Sequence, residues 1–196
     1  MNASLSKNVF FVKEHPRIFK ATAKYDVLDP ESGEVLMECR EENLGFLTKF
    51  FRYTGYKQMT PFNVVVRDKS GKQVVRVQRP TTFFTSKVRV FDENDQQIGG
   101  FRQKFFSFGG AFNVEDTQGN HLFKLKGKWT GWEFKFLAGE KELAHVTKKW
   151  AGIGKEFFST ADNYVLKISE DVPADAAARK LIVASVMTID KVLRSR

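Results

Sequence analysis

The stretch AARKLIVASVMTIDKVL, residues 177–193, contains the longest apolar run of the chain, and its placement decides the fold. Its uninterrupted apolar core, Leu181–Ile189, is nine residues long and is bordered by Arg179–Lys180 and Asp190–Lys191. A helix of that length spans roughly 13 Å, whereas the hydrocarbon core of a bilayer is about 30 Å thick. A spanning helix would carry these four charges into the hydrocarbon, which is costly. We therefore expect no integral membrane span here and predict a helix buried inside a domain.

The residues around this run favour a well-formed helix. Pro173 stands near its start, and Asp171 and Asp175 suit the positive end of the helix dipole. We therefore predict a central helix over about 174–193. Apolar residues cover nearly every face, which is typical of a helix buried on all sides. Its core positions are predicted to be Leu181, Ile182, Val186 and Ile189.

Most of the preceding chain repeats one pattern, in which an alternating apolar stretch, an acidic turn and a second alternating stretch follow each other. Alternation of period two places one set of side chains on each face of a sheet, and Asp, Gly, Asn and Ser favour turns. Asp68, Asp92 and Asp116 stand at equivalent places, 24 residues apart. The pattern predicts five β-hairpins: KYDVLDPESGEVLMECRE (24–41), NVVVRDKSGKQVVRVQR (63–79), KVRVFDENDQQIGGFRQ (87–103), AFNVEDTQGNHLFKLKG (111–127) and EFKFLAGEKELAHVTKK (133–149).

Hairpins repeated in this way can form a sandwich, a barrel or a propeller, and the irregular joints argue against a regular propeller. Two segments depart from the β pattern. One is the opening stretch, and the other is EENLGFLTKFFRYTGY (41–56), whose apolar spacing favours a short helix or turn. Because no linker or low-complexity tract interrupts the chain, we predict a single domain over 1–196.

Composition restricts the partners and the compartment. The net charge is +9, which favours polyanionic partners, either nucleic acid or an anionic membrane surface, although a basic surface without a specific partner is also open. Cys39 is the only cysteine, so an intramolecular disulfide is excluded and a reducing compartment is indicated. The early apolar run Val9–Val12 is shorter than the roughly 7–15 residues of a secretion signal. We expect a cytoplasmic protein.

Four segments carry a resemblance to a known family: TPFNVVVRD (60–68), VQRPTTFFTSKVRVFDENDQQIGGFRQ (77–103), FNVEDTQGN (112–120) and, most specifically, KKWAGIGKEFFSTADNYVLKISEDVPADAAARKLIVASVMTID (148–190). The sequence resembles the tubby C-terminal-like superfamily, in particular its phospholipid-scramblase and LURP-one-related branch, over roughly residues 24–193. The resemblance implies a mainly β fold, a closed antiparallel barrel of about 12 strands wrapped around a buried hydrophobic C-terminal α-helix.

In scramblases, a proposed calcium segment precedes that helix, and the matching stretch here is STADNYVLKISED (159–171). Asp162 and Asp171 fall on acidic positions, whereas Thr160 replaces the first carboxylate and Lys167 adds an ammonium group. Calcium takes about 6–8 oxygen ligands, so both departures weaken the site. Calcium is thus the one candidate cofactor, with Asp162 and Asp171 as its ligands.

Two surface features are candidate binding sites. Lysines on the alternate positions of the later hairpins predict a basic barrel face that binds anionic lipid, since each Lys near an anionic membrane contributes about 1 kcal/mol. Its members are Lys124, Lys126, Lys128, Lys135, Lys148, Lys149 and Lys155. The aromatic residues Phe46, Phe50 and Phe51 form an interfacial candidate that would alternatively cap the barrel.

No catalytic motif is present in the sequence. GIGKE (152–156) lacks the spaced glycine and the following Ser or Thr of a phosphate loop, and the three histidines belong to no metal or triad motif. We therefore expect no enzyme, but an intracellular lipid-binding module, peripheral to the inner membrane face, that binds anionic phospholipid head groups. A scramblase-like phospholipid transporter and a nucleic-acid-binding regulator are the alternatives.

Overall fold

The computed structural model describes residues 3–15, 24–42, 61–80, 87–103, 112–128, 133–148 and 163–193. Twelve strands and one α-helix account for most of them. The first six strands are β1 (Val9–Glu14), β2 (Lys24–Leu28), β3 (Val35–Glu41), β4 (Phe62–Asp68), β5 (Gln73–Arg79) and β6 (Lys87–Phe91). They are followed by β7 (Gln97–Gln103), β8 (Phe112–Glu115), β9 (His121–Lys128), β10 (Glu133–Ala138), β11 (Lys141–Thr147), β12 (Tyr164–Ile168) and the helix α1 (Ala177–Leu193).

The twelve strands close into an antiparallel barrel. Each strand pairs with the next one in the chain, and β1 pairs with β12 to complete the circle. The five hairpins predicted from the sequence are β2–β3, β4–β5, β6–β7, β8–β9 and β10–β11. The closed barrel implied by the resemblance is therefore confirmed. A short helix or turn is predicted within residues 41–56. Because residues 43–56 lie outside the described residues, this stays a prediction.

The prediction that the opening stretch lacks β-structure is wrong, because residues 9–14 form β1. Phe10 and Val12 belong to the core inside the barrel, and Phe11, which points the other way, is only 3% exposed. Phe11 lies opposite Val165 of β12, which is also buried. A strand buried on both faces reads as a continuous apolar run instead of an alternating one, which explains why the pattern did not reveal it.

The repeated aspartates build three matching turns. The Oδ1 atom of Asp68 accepts hydrogen bonds from the backbone N–H groups of Ser70 and Lys72, and Asp92 and Asp116 repeat the same pair of bonds in their own turns. Such bonds from a side chain to the following backbone stabilise tight turns. The fourth residue of each turn has a left-handed backbone: Gly71 (φ 82°), Asp95 (φ 62°) and Gly119 (φ 88°).

A β-bulge follows each hairpin turn and adds one residue to the second strand. The five added residues are all aliphatic: Leu36, Val74, Ile98, Leu122 and Leu143. Val74 is buried, and Leu36, Ile98 and Leu143 pack against the core. Leu122 is 39% exposed. Apart from Leu122, the bulge residues thus add apolar side chains to the core next to the hairpin turns.

Helix α1 lies within the barrel, and every residue of Leu181–Ile189 is buried, including the predicted core positions Leu181, Ile182, Val186 and Ile189. The hydroxyl groups of Ser185 and Thr188 donate to carbonyl oxygens one turn earlier, at 2.7 Å each. Such bonds satisfy polar groups in an apolar interior. The prediction of a buried central helix is confirmed.

The predicted start of the helix at about residue 174 is too early by one short turn. The backbone N–H of Ala176 donates to the carbonyl of Pro173 at 3.2 Å, which makes residues 173–176 a separate turn. Helix α1 begins at Ala177. The helix-favouring residues Ala174 and Asp175 were assigned to the helix from composition, which does not show where the hydrogen bonds of the preceding turn end.

Arg179 joins the first turn of α1 to the segment before β1. Its guanidinium donates to the carbonyl oxygens of Leu5 at 2.7 Å and Lys7 at 3.3 Å, and also to Oδ1 of Asn8. The side chain is buried, and burial lowers the pKa of its guanidinium. A buried cation is stable only where oxygens surround it. Arg179 therefore ties the central helix to the residues that lead into the closing strand.

Candidate anion-binding face

Strand β9 places two lysines on the outside of the barrel. Phe123 and Leu125 point into the core and are almost fully buried, whereas Lys124 and Lys126 alternate with them and are exposed. The ring of Phe123 meets Phe136 of β10 edge-to-face, with ring centroids 5.9 Å apart. The aromatic packing inside the barrel therefore fixes which residues of β9 face outward.

The register of β9–β12 brings four basic side chains into one row across the wall. Lys126 lies opposite Lys135 of β10, Lys135 opposite His145 of β11, and His145 opposite Lys167 of β12. Directly opposite residues of antiparallel strands have Cβ atoms about 5 Å apart, and like charges there are destabilising. We call the outward side of these strands, with Lys124, Lys126, Lys135, His145 and Lys167, the β9–β12 face.

Gly127 allows β9 and β10 to pair closely next to this row. A Cβ atom at Gly127 would lie 2.1 Å from the carbonyl oxygen of Glu133 and 2.6 Å from Cδ1 of Phe134. Real Cβ atoms do not approach backbone atoms that closely, so a residue without a side chain is required at this point. The glycine thereby supports the register that sets Lys126 against Lys135.

Two basic side chains of the row are bonded to carboxylates. Nζ of Lys135 lies 2.7 Å from Oε2 of Glu142, and this hydrogen bond raises the pKa of Lys135. The ring Nε2 of His145 bonds Oε1 of Glu133, whose other oxygen accepts a hydrogen bond from Thr147 Oγ1 at 2.8 Å. These pairs reduce the repulsion that the register creates.

The other three lysines of the β9–β12 face have no such partner. Lys124, Lys126 and Lys167 are exposed, and in the part of the chain that the structure describes no carboxylate lies within ion-pair distance of them. On the two strands that flank Lys124, the residues opposite it are the uncharged Asn113 and Leu137. The β9–β12 face is therefore a surface with uncompensated positive charge.

The structure brings together only part of the predicted lysine set. Lys124, Lys126 and Lys135 lie on the face, Lys128 ends β9, and Lys148 follows β11 as a half-buried residue that has contacts of its own. The remaining predicted members, Lys149 and Lys155, and the aromatic candidates Phe46, Phe50 and Phe51 lie outside the described residues.

Sequence reasoning missed His145 and Lys167 as members of the face. Lys167 is the one charged residue of YVLKI, and it was considered only as an obstacle to calcium. His145 belongs to no sequence motif, so the sequence gives no reason to single it out. The alternating pattern of β11 and β12 shows that both point outward, but it does not show which strands are neighbours or in which register.

The predicted calcium ligands are placed only in part. Asp171 lies in the loop before α1, where its Oδ2 is 3.0 Å from Nζ of Lys141, and Asp162 lies outside the described residues. Within the described ranges, no group of three or more His, Cys, Asp or Glu side chains could hold a metal ion. Calcium binding at Asp162 and Asp171 stays a prediction.

One end of the barrel is acidic. The five hairpin turns, the segment before β1 and the segment after β12 lie at one end, here called the turn end: residues 3–8, 29–34, 68–72, 92–96, 116–120, 139–140 and 169–176. These segments contain twelve Asp or Glu and three Lys residues, a net charge of −9. Since the whole chain carries +9, the remainder carries +18.

A closed antiparallel barrel around a central hydrophobic helix is the architecture of the tubby-like fold class. A solved structure of a protein from Arabidopsis thaliana shares this fold with a TM-score of 0.56, at 16% sequence identity, over 94% of this chain and 91% of that chain. The chain belongs to the Scramblase family, whose sequence profile it matches over residues 17–196. Strand β1 precedes the matched residues, although it closes the barrel.

A curated relative supports the same membership. The chain is 19% identical to a phospholipid scramblase family protein of Schizosaccharomyces pombe over 191 residues, which cover 90% of this chain and 50% of the relative. The chain thus spans about half the length of the curated relative that it matches. Scramblases are not a classical enzyme family, and membership supports a lipid-related role. Among the described residues, no helix is long and apolar enough to cross a membrane.

Proposed function

We propose that this protein is a non-catalytic module that binds anionic phospholipid head groups at a membrane surface through the β9–β12 face. The observation that carries the proposal is the set of three exposed lysines, Lys124, Lys126 and Lys167, that lack a carboxylate partner. Each basic residue close to an anionic membrane contributes about 1 kcal/mol of attraction. Together, three such residues contribute about 3 kcal/mol, which favours a reversible, salt-sensitive association.

The row of like charges is a second support. Lys126 and Lys135 lie directly opposite each other, an arrangement that costs stability in a sheet. A binding surface gives a physical reason for keeping such a pair, because an anionic partner removes the repulsion. Membership of the Scramblase family makes phospholipid the favoured anion.

The acidic turn end supports a particular orientation. An anionic surface attracts the β9–β12 face and repels the turn end, which carries a net charge of −9. The cytoplasmic leaflet holds the anionic lipids of a cell membrane, so that leaflet is the surface we assign to this module.

The test is co-sedimentation with vesicles of phosphatidylcholine containing phosphatidylserine, across a range of salt. We expect salt-sensitive binding that the double variant Lys124→Glu with Lys126→Glu weakens at least tenfold, since two cations become anions. The matched control is Lys69→Glu with Lys72→Glu, which changes the net charge equally but in a turn at the acidic end. Equal binding to neutral vesicles, or equal losses in the two variants, would reject the proposal.

Family membership also favours a second candidate, scramblase-like transport of phospholipid between leaflets. In proteoliposomes with fluorescent lipid, a transporter exposes both leaflets to dithionite, so quenching should pass one half. Quenching that stays at one half argues against it. A polynucleotide arm in the binding assay addresses the nucleic-acid alternative, which predicts a logarithm of affinity that falls linearly with the logarithm of salt.

A further inference from the structure

The Lys135–Glu142 pair lies in the middle of the basic row, between Lys126 and His145. Both side chains of the pair are about half exposed, at 50% and 40%, so a surface approaching the face meets them together. To an anionic surface, a bonded ammonium and carboxylate present no net charge. The pair therefore withholds one cation from the centre of the face, where it would otherwise add to the attraction.

Glu142 also acts on the stability of the wall. Without it, the ammonium of Lys135 would keep only the weaker electrostatic attraction of Glu133 while it lies opposite Lys126, and like charges directly opposite each other destabilise a sheet. The same carboxylate thus favours the folded wall and opposes binding of an anion. A residue with a purely structural role would alter only the first of these two quantities.

We propose that Glu142 sets the affinity of the β9–β12 face for anionic head groups, by neutralising Lys135 and so keeping the association weak and reversible. The proposal rests on the proposed function and deepens it, because it names the residue that limits the affinity. Glu133 is bonded to His145 on the same face, but it also accepts a hydrogen bond from Thr147 and is therefore less suited to a clean test.

The chain offers a closely matched control for this idea. Glu34 bonds Lys69 at 2.8 Å, and both side chains are exposed, so it forms a second surface Lys–Glu pair of similar geometry. That pair lies at the turn end, away from the β9–β12 face. Glu142→Gln and Glu34→Gln change the net charge of the protein by the same amount and free one lysine each, in different places.

The experiment measures partition onto phosphatidylcholine vesicles with phosphatidylserine at low salt, for the whole chain. We expect Glu142→Gln to bind about fivefold more tightly, the effect of one added cation, and Glu34→Gln to change binding less than twofold. Lys135→Gln should weaken binding about fivefold, and Lys135→Gln with Glu142→Gln should return to the wild-type value. Thermal unfolding of each variant checks that the fold is intact.

The outcomes separate the two proposals. If the wild type binds and Glu142→Gln gains no more affinity than Glu34→Gln, net charge alone governs binding and Glu142 has no special role. If the wild type does not bind anionic vesicles under any salt condition, the proposed function fails first and the role of Glu142 fails with it. A gain confined to Glu142→Gln supports both.

Discussion

Two walls of the same barrel differ in whether their basic side chains are paired with carboxylates. On β3–β5, the outward cations are Arg40, Arg67 and Arg76. Arg40 lies 2.8 Å from Asp26, Arg67 is bonded to Glu42, and Arg76 lies 2.9 Å from Asp95. On the β9–β12 face the basic residues are mostly lysines, and Lys124, Lys126 and Lys167 have no carboxylate partner among the described residues.

The difference shows that pairing, and not the number of cations, marks a binding surface. The planar guanidinium of arginine suits fixed pairs with carboxylates, whereas the strongly hydrated ammonium of lysine stays mobile and available. Arg76 also lies over the ring of Phe91, with 4.1 Å between its Cζ atom and the ring centroid, which fixes it further. The three outward arginines of the β3–β5 wall therefore all have a carboxylate partner, whereas three lysines of the β9–β12 face have none among the described residues.

The largest effect should come from disrupting the apolar core inside the barrel, to which both walls and α1 contribute. Val186→Asp buries a carboxylate in an interior position that is 0% exposed. Without a polar partner, it consumes a large part of the about 5–15 kcal/mol that stabilises a typical domain. We expect loss of the cooperative unfolding transition in near-ultraviolet circular dichroism.

The control for that variant is Ala177→Asp, an exposed position in the first turn of α1 where a carboxylate suits the helix dipole. It should unfold like the wild type. A Val186→Asp protein that stays folded and monodisperse would contradict the burial of the central helix.

Single substitutions in the two walls should have smaller effects, which differ between stability and vesicle binding. Arg67→Ala removes the ion-pair partner of Glu42. This should cost at most about 1 kcal/mol of stability and change vesicle binding less than twofold. Lys126→Ala should leave stability unchanged or slightly higher, because it relieves Lys135, and should weaken vesicle binding about fivefold. Urea unfolding and co-sedimentation measure the two quantities. Equal losses of binding in both variants would remove the distinction between the walls.

The smallest effect should appear in how the stability of the protein depends on pH. The hydrogen bond from Arg76, followed by that from Gln73, holds the pKa of Asp95 below its usual value of 3.8. A carboxyl group with a lowered pKa in the folded state stabilises the protein above its unfolded pKa, and this contribution is lost as the pH falls through the folded pKa. Asp95→Asn tolerates the left-handed backbone at this position and removes the titrating group.

We therefore expect the urea midpoint of Asp95→Asn to fall less between pH 6 and pH 3 than that of the wild type. A variant whose midpoint falls as steeply as the wild type would show that the Arg76–Asp95 pair does not contribute to the acid sensitivity of the β3–β5 wall.

The hairpins and the helix were predictable because their signals are local. Asp68, Asp92 and Asp116 form their turns with residues only two and four positions ahead, so a short window of sequence contains the whole interaction. The apolar run Leu181–Ile189 likewise identifies a buried helix by its composition. The strand count and the closure of the barrel came from the family resemblance and not from the residue pattern.

The candidate site was only partly predictable, because its members are joined across strands. Lys124, Lys126 and Lys135 could be named from the alternation of β9 and β10 alone. His145 and Lys167 could not, since a strand pattern gives the direction of a side chain but not its neighbour. The pairing of Lys135 with Glu142, which decides how much charge the face presents, depends on the bulge between Phe136 and Leu137.

The sequence by itself determined the repeating hairpins, the turns that end them and the helix that fills the barrel, because each depends on residues close together in the chain. The tertiary structure alone decided that β1 closes the barrel against β12 and that Lys126 and Lys167, 41 residues apart, belong to one row. Register between strands is set by packing of the whole core, so a property that depends on register, here the uncompensated charge of one wall, emerges only when all twelve strands are in place.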